Sequence, residues 1–187
     1  MSEMMSGQEP ALHYVSTLDE ARKIIAEHDQ FWVINCGCRE HRGLCKQSRI
    51  DVCLEFSGGE VSWGSNKHPA TRAEVESIIR EAEEKHLVAR PFRDQKTKTV
   101  TDGICFCCEC CCDYFVKKDE YRCDKGAYIE VTDKDLCAHC GTCEDYCYFG
   151  ARKLEDGELV IDREECYGCG LCVEACPDEC IQMVLRD

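Results

Sequence analysis

The sequence has no apolar run approaching the ~18 residues that a membrane-spanning helix needs, so no span is expected. It has no basic surplus either: 23 lysines and arginines face 37 acidic residues, a formal charge of −14. The electrostatic footprint of a nucleic-acid binder is therefore missing. Such an acidic balance gives solubility and steers a protein toward basic partners. There is no GxGxxG, no P-loop GxxxxGKS or GxxxxGKT and no CxxxCxxC radical motif, so no dinucleotide, nucleotide or radical site is expected. "SGGE" (57–60) reads as a turn. The opening "MSEMMSGQEP" lacks the basic region, apolar stretch and small-residue cleavage site of a secretory signal. Finally, apolar side chains are scarce once cysteine is set aside. Hydrophobic types make up 44% of 187 residues, but 20 residues are cysteines. Something besides packed side chains must hold part of the fold together.

Cysteine is what the chain has instead. "GICFCCECCCDYF" (103–115) puts six into eight positions: Cys105, Cys107, Cys108, Cys110, Cys111 and Cys112. Without export, the expected setting is the reducing cytoplasm, where clustered thiols are metal ligands rather than disulfides.

The chain also repeats itself. "DLCAHCGTCEDYCYFGARKL" and "EECYGCGLCVEACPDECIQM" superpose at an offset of 29 residues. Cys137, Cys140, Cys143 and Cys147 fall on Cys166, Cys169, Cys172 and Cys176, and Gly141 on Gly170. This is the mark of two similar half-modules. Each half reads CxxCxxCxxxC, a loop able to wrap one corner of an iron–sulfur cube. Its glycines let the backbone approach the sulfides. Zinc sites use paired CxxC knuckles instead.

Over residues 127–186 these motifs resemble the bacterial two-cluster [4Fe–4S] ferredoxins. The resemblance implies a strand-edged α+β fold with two short helices and low-potential one-electron transfer. It also implies crossed ligation, the fourth cysteine of each run serving the other cluster. One cluster then takes Cys137, Cys140, Cys143 and Cys176; the other takes Cys166, Cys169, Cys172 and Cys147. Tyr148 follows Cys147 where the family has proline, as Pro177 follows Cys176, so an additional backbone N–H lies near one cluster. His139 reads as an exposed loop residue rather than a proton carrier. Cys180 reads as a small buried side chain.

Cys36, Cys38, Cys45 and Cys53 form "CGCREHRGLCKQSRIDVC"; Cys123 stands alone. The block 31–115, with "CGCR", Cys45, "CLEF", "KHLVA" and "CFCCECCC", resembles the amino-terminal region of a family of iron–sulfur proteins from anaerobic bacteria and archaea. "KHLVA" lacks the Gly and His of the usual segment. The residues themselves suggest one or more additional clusters assembled between two patches: Cys36, Cys38, Cys45 and Cys53 from one, Cys105, Cys107, Cys108, Cys110, Cys111 and Cys112 from the other. On extended backbone neighbouring side chains alternate. Cys107 is then paired with Cys111, and Cys108 with Cys110 or Cys112, in different sites. Arg39, Arg42 and Lys46 lie among these thiols and offset their charge.

The expected class is α+β: a C-terminal two-cluster ferredoxin fold (127–187) after a small cysteine-rich α/β domain (13–126) and a flexible tail (1–12). Capping boxes at Thr17/Glu20 and Thr71/Glu74 open two helices. The second carries a Val75, Ile78, Ile79, Ala82, His86 stripe through "TRAEVESIIREAEEKHLV", with His86 at its rim rather than a ligand. Strands are expected at 31–36 and 127–133, and a loop or hairpin at 90–103. The functional expectation is an electron-transfer protein or subunit serving a redox partner or multisubunit oxidoreductase with a basic docking face. The alternative is a reductase whose N-terminal thiols carry an atypical substrate-reducing cluster. A sensor acting by partner binding is the weaker third reading.

Overall fold

The computed structural model describes residues 9–43, 45–59, 63–117 and 120–187. Of the expected tail, residues 1–8 lie outside this range, whereas Ala11 is buried and its N–H donates to the Asp124 carboxylate at 3.1 Å. "SGGE" falls partly outside it.

After β1 (His13–Tyr14) comes α1 (Leu18–Ala26), capped as expected. The Thr17 hydroxyl accepts from the Glu20 N–H at 3.1 Å, and the Glu20 carboxylate accepts from the Thr17 N–H at 2.9 Å. β2 (Phe31–Ile34), α2 (Gly37–Arg42), β3 (Cys53–Glu55) and β4 (His68–Ala70) follow. The Thr71/Glu74 box opens α3 (Arg72–Glu84), which buries Val75, Ile78 and Ala82. That helix stops short of the sequence expectation. His86 adopts a left-handed φ of 49°, which turns the chain back into β5 (Val88–Arg93). His86 thus leaves the stripe, and its ring rests against Tyr146 at 4.3 Å. The polar 90–103 segment is the hairpin between β5 and β6 (Thr101–Cys107). Its loop is tied by the Asp94 carboxylate, which accepts from the N–H groups of Lys96, Thr97 and Thr99. α4 (Asp113–Val116) and β7 (Cys123–Asp124) complete this half.

The seven strands form one sheet in the order β4-β2-β3-β6-β5-β1-β7, antiparallel except for the β1–β7 pair. The alternation of side chains along a strand decides where the thiols go. Ile104 and Phe106 of β6, with Leu54 of β3, pack into the core that includes α1 and α3. Cys105, Cys107 and Cys53 project into the opposite core, Cys53 and Cys105 being register partners.

The C-terminal part comprises β8 (Tyr128–Thr132), α5 (Thr142–Asp145), β9 (Arg152–Glu155), β10 (Glu158–Ile161), α6 (Leu171–Glu174) and β11 (Ile181–Leu185). β8 pairs antiparallel with β11, and β9 with β10. The short helices start after left-handed Gly141 (φ 78°) and Gly170 (φ 84°), equivalent positions of the repeat. The two parts share a packed aromatic cluster. Phe149 stacks on Tyr167 at 4.4 Å, Phe115 meets Phe149 edge-on at 5.1 Å, and Tyr114 approaches Tyr167 at 6.2 Å. Tyr148 adds polar ties: its hydroxyl donates to the His86 carbonyl at 3.1 Å and accepts from Gln47 Nε2 at 2.9 Å.

Candidate metal centres

The repeat folds its thiols into two groups. Cys137, Cys140, Cys143 and Cys176 line one small cavity, and Cys180 lines it too, its Sγ 3.4 Å from that of Cys176. Cys147, Cys166, Cys169 and Cys172 line a second. In each, the loop curls through residues of positive φ. His139 (φ 53°) stands where the other half has Gly168 (φ 81°). A Cβ at Gly168 would sit 2.1 Å from the Tyr128 carbonyl oxygen, so only glycine fits. His139 is half-buried, its Nδ1 accepting the Leu159 N–H at 2.8 Å. The donor chemistry, four thiols around each of two cavities with the backbone folded close, fits a cubane in each.

Between these cavities lies a residue that no sequence motif announces. Arg152, 2% exposed, donates from Nη1 to Cys143 Sγ at 3.4 Å and from Nη2 to Thr132 Oγ1 at 2.8 Å. It also pairs with the buried Glu130 carboxylate. Burial disfavours its charge, but Cys172, Cys143 and Glu130 outweigh that and raise its pKa. Nothing in "GARKL" distinguishes this arginine from a surface one.

In the N-terminal half, the ten thiols separate into six and four. The six are Cys36, Cys38, Cys53, Cys105, Cys107 and Cys112, which line a cavity of about 840 Å³. Cys36 and Cys38 flank the start of α2, and Gly37 between them is pressed against the Trp63 carbonyl, where a Cβ would clash at 1.7 Å. Cys105 and Cys107 come from β6, Cys53 from β3, and Cys112 from the N-cap of α4. Their protons are shared unequally. Hydrogen bonds from Cys38 and Cys53 lower the Cys36 thiol. Cys53, together with His13, lowers Cys105. Cys107 and Cys38 lower Cys112. The donating thiols Cys38, Cys53 and Cys107 are pushed up correspondingly.

Buried cations face both groups of thiols. Arg90, 4% exposed, donates to Cys112 Sγ at 3.1 Å and lies 3.8 Å from Cys107 Sγ, while its guanidinium covers the Tyr114 ring at 4.4 Å. Arg39, 1% exposed, donates to the Phe106 carbonyl at 3.2 Å and approaches Cys108 Sγ at 3.4 Å. Arg90 Nε and Arg39 Nε and Nη1 are buried without a hydrogen-bond partner among the described residues. The unsatisfied Arg90 donor lies at the wall of the six-thiol cavity and matches an occupant rich in thiolate and sulfide. Of the other cations that the sequence sets among these thiols, Arg42 donates to the Cys111 carbonyl at 2.8 Å and pairs with Asp113 at 2.6 Å; Lys46 is exposed. Arg90 and His13 do not stand out in the sequence, because no motif surrounds them.

The remaining four, Cys45, Cys108, Cys110 and Cys111, converge elsewhere, with all their Sγ atoms within 4.8 Å of one another. This corrects the pairing expected from strand alternation. The chain leaves β6 after Cys107 and turns, the Cys112 N–H bonding to the Cys108 carbonyl at 3.2 Å. Cys107 therefore groups with Cys112 rather than Cys111, and Cys108 with Cys110 but not Cys112. Cys123, half-buried, does not line the six-thiol cavity but packs against the same core, its thiol donating to the Asp124 carbonyl at 3.7 Å.

Comparison with known proteins agrees with the C-terminal geometry. Residues 129–177 match the family described as 4Fe-4S dicluster domain. One subunit of the ion-translocating oxidoreductase complex of Methanosarcina acetivorans is 35% identical over 60 residues, 32% of this chain and 23% of that protein. Pyruvate synthase subunit PorD of Methanothermobacter marburgensis is 43% identical over 51 residues, 27% of this chain and 59% of that protein. One subunit of the tetrathionate reductase of Salmonella typhimurium is 37% identical over 65 residues, 32% of this chain and 26% of that protein. The chain thus spans less than two thirds of the length of each of these relatives.

Proposed function

Given a ferredoxin-like iron–sulfur protein related to electron-transfer subunits of oxidoreductase complexes, we propose that it passes single low-potential electrons through several clusters to or from a partner oxidoreductase. Cys137, Cys140, Cys143 and Cys176 hold one [4Fe–4S] cluster, and Cys166, Cys169, Cys172 and Cys147 the other. The six-thiol cavity holds an additional iron–sulfur cluster. Bound clusters supply one-electron redox chemistry; the protein fixes their spacing, excludes water and offsets their charge.

The observation that carries this reading is an unbroken row of packed groups. It runs from the second quartet through Tyr167 to Tyr114, then to Arg90 and Cys112. At the other end Cys140 is exposed, beside exposed Asp178 at the same cavity, which suits docking to a basic partner face. Among the described residues no helix is long and apolar enough to cross a membrane. We place the protein in the cytoplasm of an anaerobic cell, acting as an oxidoreductase subunit and not on nucleic acid.

Anaerobically purified protein is expected to hold at least eight sulfide-paired irons, plus roughly four or more for the six-thiol cavity. A value that stays at eight after reconstitution overturns the additional cluster. Cys140→Ser is expected to stop electron flow while leaving the N-terminal half folded.

The cavity favours a second reading, a reductase. It offers six thiols where a cube uses four, and His13, Arg93 and Tyr114 line it as well. The readings separate on one measurement. A reduced carrier is reoxidised by a protein partner, whereas a reductase is reoxidised by a small molecule with no partner added.

A further inference from the structure

We propose that Cys45, Cys108, Cys110 and Cys111 form a site for one thiophilic divalent ion, zinc or iron, held by four sulfurs, and not for an iron–sulfur cube. The size of the group is the reason. Sγ separations are 3.7 Å for Cys45–Cys108, 3.9 Å for Cys45–Cys110, 3.6 Å for Cys108–Cys110 and 3.6 Å for Cys110–Cys111. Four sulfurs at the ~2.3 Å bond length of a tetrahedral tetrathiolate ion stand about 3.8 Å apart. A cube spreads its four thiolates over four metal ions and needs a wider set. Among the described residues this is the one group of three or more metal-binding side chains so close together; neither ferredoxin quartet nor the six-thiol cavity forms such a group.

The surroundings fit a compact anion. One divalent ion displacing the four thiol protons leaves the site at charge −2. Arg39 approaches Cys108 Sγ at 3.4 Å with two buried donors still unpartnered, and the Ser48 N–H donates to Cys45 Sγ at 3.4 Å. Tetrahedral S4 sites select zinc or iron.

The site has a structural task. It fastens the loop carrying Cys45 to the turn at 108–111, whose flanking residues Cys107 and Cys112 belong to the six-thiol cavity. The ion therefore locks the end of β6 in the conformation that assembles that cavity. This proposal can fail independently of the electron-transfer reading, because its readout is metal held without sulfide, whereas that reading rests on sulfide-paired iron.

The test is the metal-to-sulfide balance of the full-length protein, purified anaerobically. Cubes contribute iron and sulfide equally, so the summed zinc and iron is expected to exceed sulfide by one per chain. That excess is expected to vanish in both Cys110→Ser and Cys45→Ser. No excess in the wild type, or one unchanged in both variants, overturns the proposal. Zinc-edge X-ray absorption and Mössbauer spectra of the wild type provide readouts independent of variant folding. A zinc with four sulfur neighbours, or a separate high-spin tetrathiolate iron signal, supports the single ion, and the absence of both refutes it.

Discussion

Arg152 is the side chain on which the two ferredoxin cavities turn. Its guanidinium touches Cys143 of one quartet and feels the charge of Cys172 in the other. A positive charge there favours the reduced, more negative state of both clusters. Arg152→Gln is expected to lower their potentials by about 60–130 mV, the one-electron equivalent of the ~1.5–3 kcal/mol of a charged hydrogen bond. Arg152→Lys is expected to recover part of that shift. Spectroelectrochemical titration of each variant measures both. Tyr148 acts differently, as a tie between halves. Tyr148→Phe removes its bonds to Gln47 and His86 and is expected to cost about 1–3 kcal/mol, read by chemical denaturation.

At the scale of elements, the segment 105–112 is strand, then turn, then helix cap, and each change of backbone direction reassigns its thiols. Alternation within the cysteine run was legible in the sequence, but the strands β3 and β6 that bring Cys53, Cys105 and Cys107 to one face were not. The turn after Cys107 was not legible, because Cys108, Glu109, Cys110, Cys111 and Cys112 include no glycine, proline or asparagine to announce it. Helix starts were easier to read than helix ends. Thr17 and Thr71 declare their caps in sequence, whereas the chain turns out of α3 at a left-handed His86, and without a glycine there the stop gives no strong sequence signal. Thr71→Ala is expected to destabilise the fold by about 1 kcal/mol through loss of the Glu74 N–H bond. Thermal unfolding under anaerobic conditions checks it.

Across the whole molecule, two thiol-rich parts are joined by an aromatic core rather than by a flexible linker. Exposed Cys140 lies at one end and the six-thiol cavity beyond the core at the other. The proposed direction of docking carries a consequence. The association rate with a basic redox partner is expected to fall severalfold between low and physiological salt, as screening shortens the reach of the −14 charge. Stopped-flow reduction measured across ionic strength tests this, and a salt-independent rate argues against electrostatic docking.

The sequence by itself determined the eight-cysteine repeat, since 29-residue periodicity and CxxCxxCxxxC spacing are local properties of the chain. It also determined the capped helices and the excess of thiol over apolar core. Only the tertiary structure divided the ten N-terminal thiols into six and four. Which thiols meet depends on the pairing of β3 with β6 and on where the chain turns after Cys107. The buried positions of Arg39, Arg90 and Arg152 were likewise decided only there. An arginine's exposure is set by what packs over it, and those covering residues lie far away in sequence.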